Sequence, residues 1–265
     1  MASRTGAVKI EGSRFLITGG ASLVGSHLAE ELLAADAREV VLFDNLSFAA
    51  PGAVEALEKI PGVTLVRGDV LRLADLTDAC RGVDGAFSLA ALMSLSMSEN
   101  PGLGLDVNVK GHQNLLDACR IQGVKKVILS SSNAVYGYDN EGDIAENEPF
   151  NSAGIPPGVA IYGATKLIGE HLCRLYKRKY GLDYAVLRYS TVFGERQHYR
   201  AANALFVIET YDRVRKGERP QLFGEGNDTK QFVYVGDVAR ANALAMAAPG
   251  TDEACNVCGD ETTTT

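Results

Sequence analysis

Short apolar runs alternate with amphipathic helical stretches through residue 129, and this alternation constrains the fold more than any other feature. The first apolar run, Arg14–Thr18, is followed by a helical pattern over 23–33. Continuous apolar strands that alternate with helices are typical of a parallel sheet covered by helices on both faces. A further helix is predicted over 107–121, with Gly123 placed to stop it. The other predicted strands span residues 40–43, 63–66, 86–89 and 127–129.

The fold class that follows is α/β, with a Rossmann-like, doubly wound parallel sheet and a smaller C-terminal lobe. The alternation loosens after about residue 190, so we divide the 265-residue chain into a domain over 1–190 and a lobe over 191–265, interleaved with that domain. The polar run 262–265 closes no element, so we expect either that a terminal segment is missing from this sequence or that the lobe is small. The elements predicted in the lobe are a helix over 201–216, a strand over 231–235 and a helix over 238–247.

Charge and composition argue against several classes of protein. Twenty-six basic against 33 acidic residues give a net charge of −7, which argues against a nucleic-acid binder with a basic face. No apolar run approaches the roughly 18 residues that cross a bilayer, and residues 1–13 lack the apolar core of a secretory signal. Five cysteines, an odd number without framework spacing, suit a reducing compartment. We therefore expect a cytoplasmic protein that binds neither nucleic acid nor a membrane.

Neither the cysteines nor the histidines have the spacing of a metal site, and we predict none. Cys255 and Cys258 form a single CxxC motif without a second pair, and we interpret both residues as small buried side chains of a strand. Ordinary surface or core positions are expected for the four histidines, which are His27, His112, His171 and His198.

A glycine-rich turn between the first predicted strand and helix is the first candidate binding site. Gly19 and Gly25 lie at the spacing of a GxxGxxG fingerprint, with Ser22 in place of the middle glycine. Glycines at such a turn let the backbone approach a pyrophosphate, which then lies on the helix N-terminus. A plain strand-to-helix corner explains the same residues, so the turn alone does not identify a ligand.

Asp44 strengthens the dinucleotide interpretation because it ends the second predicted strand, 19 residues after Gly25. A carboxylate there accepts both ribose hydroxyls of NAD and repels a 2′-phosphate, and Asn45 and Leu46 offer no arginine to receive one. We therefore predict NAD rather than NADP, with a turn-capping carboxylate as the alternative role of Asp44. Asp69, after the third predicted strand, is assigned either to the adenine amino group or to a cap of the next helix.

Tyr162 and Lys166 form a YxxxK motif that we expect to open a helix ending near Gly181. Residues at i and i+4 share a helix face, so the phenol and the ammonium group can act on one site. A free phenol has a pKa near 10, and making it a base at neutral pH requires a shift of about 3 units, or about 4 kcal/mol. We expect Lys166 and an oxidised nicotinamide, both cationic, to supply that shift. An exposed helix face is the alternative explanation of the motif.

Three serines, Ser130 to Ser132, follow the fifth predicted strand. Open α/β sheets bind ligands at the carboxyl ends of their strands, so a hydroxyl here can hold the substrate oxygen that Tyr162 deprotonates. The alternative is a serine-rich strand end whose hydroxyls satisfy local backbone groups.

Taken in order, these motifs resemble the extended short-chain dehydrogenase/reductase family, in particular its sugar-nucleotide epimerase/dehydratase branch, typified by UDP-glucose 4-epimerase. The resemblance covers nearly the whole chain, and the ordered series is far more specific than any one motif. The motifs are Thr18-Gly19-Gly20 through Gly25, Asp44-Asn45-Leu46, Gly68-Asp69, Leu89-Ala90-Ala91, Asn108-Val109-Lys110-Gly111, residues 130–137, the YxxxK motif, Leu187-Arg188-Tyr189 and residues 232–238.

The resemblance implies an enzyme that removes a hydride, often from C4 of a UDP-linked or related nucleotide sugar, to tightly held NAD and returns it to the other face of the keto sugar. Residues 1–190 then form the NAD-binding domain with the catalytic residues, and 191–265 the substrate-binding lobe. The implied catalytic residues are Ser132 as the hydroxyl, Tyr162 as the base and Lys166 as its activator. The implied cofactor-binding residues are Gly19, Ser22, Leu23, Val24, Gly25, Asp44, Asn45, Leu46, Ser47, Asp69, Val70, Leu89, Ala90, Ala91, Asn108, Tyr162 and Lys166. The implied substrate-binding residues are Met93, Ser132, Tyr162, Thr191 and Lys230.

Several positions depart from the family pattern, mostly on the substrate side, so we expect the reaction type to hold more firmly than the substrate. Asn133 stands where family dehydratases carry an acid after the catalytic hydroxyl, which argues against the dehydratase alternative. The other departures are Ser22 for a glycine, Ser88 for a frequent histidine, Met93 for a lysine, Ser190-Thr191 for Phe-Asn, Glu195 for a proline and Lys230-Gln231 for Arg-Asp.

Two further alternatives stay open beside the epimerase. One is a dehydrogenase or reductase of a small alcohol or carbonyl compound with exchangeable NAD. The other is a non-catalytic NAD-binding regulator, against which the presence of both Tyr162 and Lys166 argues. The resemblance also implies a homodimer, in which the helix over 107–121 and the helix of Tyr162 form a two-fold four-helix interface.

Overall fold

Seven parallel strands form the main sheet in a computed structural model that describes residues 6–49, 52–137, 144–197, 205–220, 229–250 and 252–264. The strands in these residues are β1 (Arg14–Thr18), β2 (Glu39–Asp44), β3 (Val63–Arg67), β4 (Gly85–Ser88), β5 (Lys126–Ser132), β6 (Asp183–Tyr189), β7 (Thr191–Phe193), β8 (Thr229–Tyr234), β9 (Ala254–Val257) and β10 (Thr262–Thr264). The order in the main sheet is β3-β2-β1-β4-β5-β6-β9, and it reverses direction between β1 and β4. This arrangement confirms the predicted doubly wound α/β fold.

Helices cover the sheet as the alternation predicts. The helices in the described residues are α1 (Leu23–Ala34), α2 (Ala53–Leu57), α3 (Leu73–Ala79), α4 (Ser94–Glu99), α5 (Pro101–Leu105), α6 (His112–Gln122), α7 (Pro157–Tyr180), α8 (Leu205–Arg215) and α9 (Val235–Ala247). A π-helical segment, Asp106–Gly111, leads into α6, and a 3₁₀ turn, Asn133–Tyr136, follows β5. Gly123 and Gly181 end α6 and α7 in the left-handed conformation, as predicted. The first four residues of the helix predicted over 201–216 lie outside the described residues.

Alternate residues of β1 enter two different apolar cores, because successive side chains of a strand point to opposite faces of the sheet. Phe15 and Ile17 belong to one core together with Leu28 of α1. Leu16 belongs to the other, together with Leu115 of α6. Both faces of the central strand are therefore buried, which is why its sequence is apolar without interruption.

Helix α7 begins at Pro157, five residues before the predicted start at Tyr162. Pro157 occupies the first turn of the helix, where its missing N–H costs no hydrogen bond and its fixed φ suits the helix. Proline and glycine usually mark loops, so Pro156, Pro157 and Gly158 give no sequence signal of a helix upstream of Tyr162. Tyr162 therefore lies in the second turn of α7.

The C-terminal part of the chain contributes to both sheets. Strands β10, β8 and β7 form a separate three-stranded sheet, whereas α9 packs on α1 and β9 pairs with β6 at the edge of the main sheet. The chain thus returns to the main sheet after the second sheet has begun. The division into two domains at residue 190 stays a prediction.

The prediction that Cys255 and Cys258 are buried is wrong, because both side chains are exposed. Cys255 lies on β9 as a strand residue, but β9 is the last strand of the main sheet. Within the described residues no strand lies beyond β9, so Cys255 lies on an edge strand, where its side chain is exposed.

Candidate active site

A cavity of about 1280 Å³ lies at the carboxyl ends of the main-sheet strands, at the reversal between β1 and β4. Its wall includes the loops after β1, β2, β3 and β4, the end of β5, part of α7 and the segment after β6, together with residues of α1, α2, α4 and α5. Most residues predicted to bind cofactor or substrate line it, namely Gly19, Ser22, Leu23, Val24, Asp44, Asn45, Ser47, Asp69, Val70, Leu89, Ala90, Ala91, Met93, Ser132, Tyr162, Lys166 and Thr191. The predicted residues that do not line it are Gly25, Leu46, Asn108 and Lys230.

The glycine turn after β1 exposes backbone atoms to the cavity, because its glycines have no side chain to cover them. Gly19 has a φ of +70°, and a Cβ there would lie 2.9 Å from the backbone nitrogen of Ala90. A Cβ at Gly25 would lie 2.6 Å from the carbonyl oxygen of Gly19. Gly25 therefore lets α1 pack closely against the turn. Because Gly25 faces the turn, it does not line the cavity.

Ser22 caps the N-terminus of α1. Its Oγ accepts a hydrogen bond from the backbone N–H of Gly25 at 3.2 Å, which satisfies one of the unpaired N–H groups at the helix start. The departure from the glycine fingerprint thus has a local structural cause. The start of α1 faces the cavity through Ser22, Leu23 and Val24, a position that suits an anionic group.

Asp44 performs the turn-capping role that was the alternative to ribose binding. Its Oδ2 accepts from the N–H of Ala21 at 3.0 Å and its Oδ1 from the N–H of Leu46 at 2.8 Å. The carboxylate therefore ties the loop after β2 to the glycine turn. Asp44 also lines the cavity, and each oxygen keeps further acceptor capacity, so the two roles are compatible.

Asp69 also combines a cap with a place in the wall. Its Oδ1 accepts from the N–H of Leu71 at 2.9 Å, and its carbonyl oxygen accepts from the N–H of Arg72 at 2.9 Å. These bonds form the turn that leads into α3, while Asp69 lines the cavity. A contact with adenine stays a prediction.

The end of β5 and the second turn of α7 bring Ser132, Tyr162 and Lys166 together. Strand β5 extends to Ser132, so the serines end the strand instead of following it. Ser132 is near enough to the phenol of Tyr162 to influence its pKa, while its Oγ accepts from the N–H of Ala134 at 3.2 Å and donates to Oδ1 of Asn133 at 3.4 Å. The Nζ of Lys166 donates to the carbonyl oxygen of Ser130 at 2.8 Å and lies 5.6 Å from the centre of the Tyr162 ring. The three predicted catalytic residues thus share one part of the wall.

Burial dominates the ionisation of these groups in the protein alone. It raises the pKa of Tyr162 to about 12, although the interaction with the side chain of Ser132 opposes the rise. Burial also lowers the pKa of Lys166 to about 8. The expected lowering of the phenol pKa is therefore not a property of the chain by itself, because desolvation outweighs the influence of Ser132. A phenolate at neutral pH requires a further positive charge beside the ring.

Asn108 supports the site from behind its wall. Its Oδ1 accepts from the N–H of Leu92 at 2.7 Å, and its Nδ2 donates to the carbonyl oxygen of Leu92 at 2.9 Å and to Oγ1 of Thr165 at 3.2 Å. Thr165 donates to the carbonyl oxygen of Tyr162 at 2.7 Å. Asn108 therefore joins the loop after β4 to α7, and it does so from a π-helical turn, a feature common at functional sites. A contact with the cofactor stays a prediction.

Glu170, Arg188 and Ser190 lie beside the site but were not among the predicted site residues. Glu170, one helical turn beyond Lys166, accepts from Oγ of Ser131 at 2.6 Å and pairs with Arg188. The i+4 spacing of Glu170 from Lys166 could have indicated in the sequence that both side chains lie on one face of the helix. Ser190, in the cavity wall, has a buried hydroxyl without a hydrogen-bond partner in the described part of the chain, for which the sequence offers no signal.

The histidines for which side chains are described occupy ordinary positions. His112 is buried, and its Nδ1 lies 2.8 Å from Oγ of Ser88, the residue that replaces a frequent histidine. His198 lies outside the described residues. The described residues contain no group of three or more His, Cys, Asp or Glu side chains that could hold a metal. None of the helices in that part of the chain combines the length and apolar character needed to cross a membrane.

Sequence comparisons agree on one family. A family model described as the NAD dependent epimerase/dehydratase family matches residues 15–258. A UDP-glucose 4-epimerase of Mycolicibacterium smegmatis is 33% identical over 256 residues, which cover 95% of this chain and 79% of that protein.

Solved structures of similar fold carry related descriptions. A UDP-N-acetylglucosamine 4-epimerase from Methanobrevibacter ruminantium, in complex with UDP-N-acetylmuramic acid, has a TM-score of 0.84 at 30% identity, covering 96% of this chain and 79% of that one. A UDP-glucose 4-epimerase of Thermus thermophilus, in complex with NAD, has a TM-score of 0.81 at 34% identity, covering 95% of this chain and 79% of that one.

Proposed function

This chain belongs to the NAD dependent epimerase/dehydratase family, and from that premise we propose that it epimerises a nucleotide sugar, such as a UDP-linked sugar, at C4 of the sugar. The enzyme uses NAD as its cofactor. The observation that carries the proposal is the convergence of Ser132, Tyr162 and Lys166 in one wall of a cavity that also contains the glycine turn and Asp44.

The residues in the cavity fit NAD. The glycine turn and the start of α1 would hold the pyrophosphate, and Asp44 would accept the ribose hydroxyls. Residues 44–49 include no basic side chain that would receive a 2′-phosphate. The buried hydroxyl of Ser190 adds a polar atom that the described protein residues leave unsatisfied, as expected for a wall that meets a bound group. NAD, when bound, accepts a hydride from the sugar carbon and returns it, and its oxidised ring is cationic.

The side chains of the protein supply the proton chemistry. Ser132 holds the oxygen of the reacting hydroxyl, and Tyr162 takes its proton as the sugar is oxidised. Lys166 stabilises the phenolate together with the cationic ring, against the desolvation that otherwise raises the pKa of Tyr162. Tyr162 returns the proton after the keto sugar has turned in the cavity.

The test is incubation of the purified protein with UDP-glucose, UDP-galactose and their N-acetyl and uronic forms, followed by chromatography of the sugar nucleotides. We expect one pair to reach an epimer equilibrium without added NAD, and Tyr162→Phe to slow this conversion by about a hundredfold or more while NAD stays bound. Absence of any epimer from protein that demonstrably contains NAD would refute the proposal.

The same incubation separates the alternatives. A 4-keto-6-deoxy product would indicate a dehydratase, which the amide of Asn133 after Ser132 does not favour. Net accumulation of NADH with a small alcohol would indicate a dehydrogenase. Wild-type function of the Tyr162→Phe variant in a cell would indicate a regulator that binds NAD without catalysis.

We also propose that the enzyme is a homodimer formed through α6 and α7. Its support is a set of exposed apolar side chains on these helices, where Ile121 is 51%, Ile168 42% and Leu175 52% exposed. Apolar surface of this kind is typical of a subunit interface. Light scattering of the wild type should give twice the mass of one chain, and Leu175→Glu should halve it; a monomeric wild type would refute the dimer.

A cytoplasmic location is proposed as well. It is supported by the five cysteines, all of which are free thiols in the structure. Fractionation of the native host with an antibody against the protein tests it, and recovery in a secreted fraction would contradict it.

A further inference from the structure

One largely buried carboxylate lies between the two elements that carry the catalytic residues. Glu170 is one turn beyond Lys166 and two turns beyond Tyr162 on α7. Oγ of Ser131 donates to its Oε1 at 2.6 Å. Because Ser131 directly precedes Ser132, this bond ties the end of β5 to the helix of Tyr162 and Lys166.

Arg188 of β6 completes the arrangement. Its Nε donates to Oε1 of Glu170 at 2.9 Å and its Nη2 to Oε2 at 2.7 Å, the bidentate form of such a pair. The side chains of Arg188 and Glu170 are only 9% and 11% exposed. The Nη1 donates to the hydroxyl of Tyr136 at 2.7 Å, and Tyr136 belongs to the 3₁₀ turn directly after Ser132. These bonds join Glu170 and Arg188 to the turn that follows Ser132.

Helix α7 and strand β5 both place charged, titratable or hydrogen-bonding groups around Lys166. On α7 these are Tyr162 and Glu170. Strand β5 presents the serine hydroxyls and the carbonyl oxygen of Ser130, which accepts from Nζ. Burial lowers the pKa of Lys166, and Glu170 is the group that opposes this lowering. The carboxylate therefore favours the ammonium form.

Two other elements packed on α7 carry carboxylates, Glu99 on α4 and Asp106 in the π-helical segment, but Glu170 is the carboxylate that shifts the pKa of Lys166. His112, the first residue of α6, is neutral near pH 7, because burial and the charge of Lys166 lower its pKa to about 4. Strand β6 contributes Arg188, bound to Glu170, and Tyr189, whose phenol stays protonated because burial raises its pKa to about 12. Among these groups, Glu170 supplies the stabilising charge.

We propose that Glu170 is a positioning residue for the proposed reaction, fixing the strand end that carries Ser132 and keeping the Lys166 ammonium group protonated. It does this without lining the cavity, since Glu170 stands behind the wall that Ser131 and Lys166 form. The proposal rests on the proposed function, because protonated Lys166 is what stabilises the Tyr162 phenolate there.

The direct test measures the ionisation of Lys166 without any substrate. Competitive labelling with acetic anhydride, quantified by mass spectrometry over a pH series, should give a wild-type midpoint near pH 8. In Glu170→Gln the midpoint should fall by about one pH unit, because the favourable charge is lost while the shape is kept. Ser131→Ala is the matched control, since it removes a hydrogen bond of Glu170 and leaves its charge. Its midpoint should stay near that of the wild type.

Turnover supplies the second readout. In Glu170→Gln the alkaline limb of the pH profile of kcat should shift to lower pH by the same amount as the labelling midpoint. Ser131→Ala should instead lower kcat at all pH values. Both variants should change KM only slightly. If Glu170→Gln does not fold because Arg188 is left with a neutral partner, Glu170→Gln with Arg188→Gln keeps a hydrogen-bonded neutral pair, and the labelling midpoint should again fall.

The outcomes distinguish the two proposals. An unchanged labelling midpoint in a folded Glu170 variant overturns the role of Glu170, whether or not the wild type is an epimerase. A lowered midpoint in a protein that converts no nucleotide sugar supports the electrostatic role of Glu170 and refutes the proposed function.

Discussion

Replacing Gly19 by alanine tests the argument that the glycine turn is required by geometry. Gly19 has a φ of +70°, and an added Cβ would lie 2.9 Å from the nitrogen and 3.0 Å from the Cα of Ala90, and 3.2 Å from the carbonyl carbon of Leu89. All three are backbone atoms, which cannot rotate away as a side chain can. Gly12 has a φ of +71° with no atom within 4 Å of the position of a Cβ in the described structure, so Gly12→Ala isolates the conformational cost.

The two variants differ by the contact with the loop after β4. A left-handed conformation costs an alanine about 1–2 kcal/mol, partly offset by about 0.4–1 kcal/mol from the lower entropy of the unfolded chain. Overpacking adds about 1–3 kcal/mol. We therefore expect the free energy of unfolding to fall by about 1 kcal/mol in Gly12→Ala and by about 2–4 kcal/mol in Gly19→Ala.

Urea denaturation measures these changes, and titration calorimetry measures the affinity for NAD. Because Gly19 and Ala90 both line the cavity, we expect Gly19→Ala to bind NAD at least about tenfold more weakly, or about 1.4 kcal/mol. Gly12→Ala should bind NAD as the wild type does. Equal stability of the two variants together with unchanged NAD affinity would refute the reasoning from the Cβ contact.

Three other substitutions test separate parts of the structure. Tyr162→Phe should lower kcat by about 10²–10⁴, the usual contribution of a positioned base, with NAD still bound by calorimetry; a small loss of kcat would contradict its role. Lys126 is fully buried, and its Nζ donates to the carbonyl oxygens of Ala245 and Ala248 at the end of α9, at 2.7 and 2.8 Å. Lys126→Met should therefore lower the free energy of unfolding by about 2–4 kcal/mol in urea, and a neutral effect would show that these carbonyl groups find water instead. His112 has its pKa lowered from 6.5 to about 4 in the fold, so between these pH values the unfolded chain binds a proton that the folded chain does not. The free energy of unfolding should fall by about 2–3 kcal/mol as the pH falls from 6.5 to 4, and His112→Gln should remove this part of the pH dependence.

Local signals in the sequence predict much of this fold, because burial on both faces leaves a strand apolar throughout. Arg14–Thr18 was predicted with the bounds that β1 has in the structure. The i+4 spacing of Tyr162 and Lys166 placed both side chains on one face, and the position of the serines at a strand end placed Ser132 near them. Each of these inferences uses geometry within one element, or the general rule that strand ends meet at one edge of a sheet.

Long-range pairing explains what the sequence could not show. The bond between Ser88 and His112, and the pair formed by Glu170 and Arg188, depend on which elements lie side by side after folding. Hydrogen bonding to Gly25 decides the role of Ser22, which a glycine fingerprint alone presents as a mismatch. The ionisation of Tyr162 likewise follows from burial, which the spacing of the motif does not encode.

The last strand of the main sheet has a consequence for biosynthesis. Val186 of β6 lies beside Ala254 of β9, so the two partners leave the ribosome far apart in time. Until Val257 has emerged, the outer edge of β6 presents unpaired backbone groups that a strand of another nascent chain can occupy. The pairing of β6 with β9 closes a loop of chain that runs from Tyr189 to Ala254, and closing a loop of this length is slow. Docking of β9 should therefore be a late event in folding. Expression at high protein concentration should therefore promote aggregation through the unpaired edge of β6. A peptide spanning residues 252–258, added during refolding, should compete with β9 for that edge.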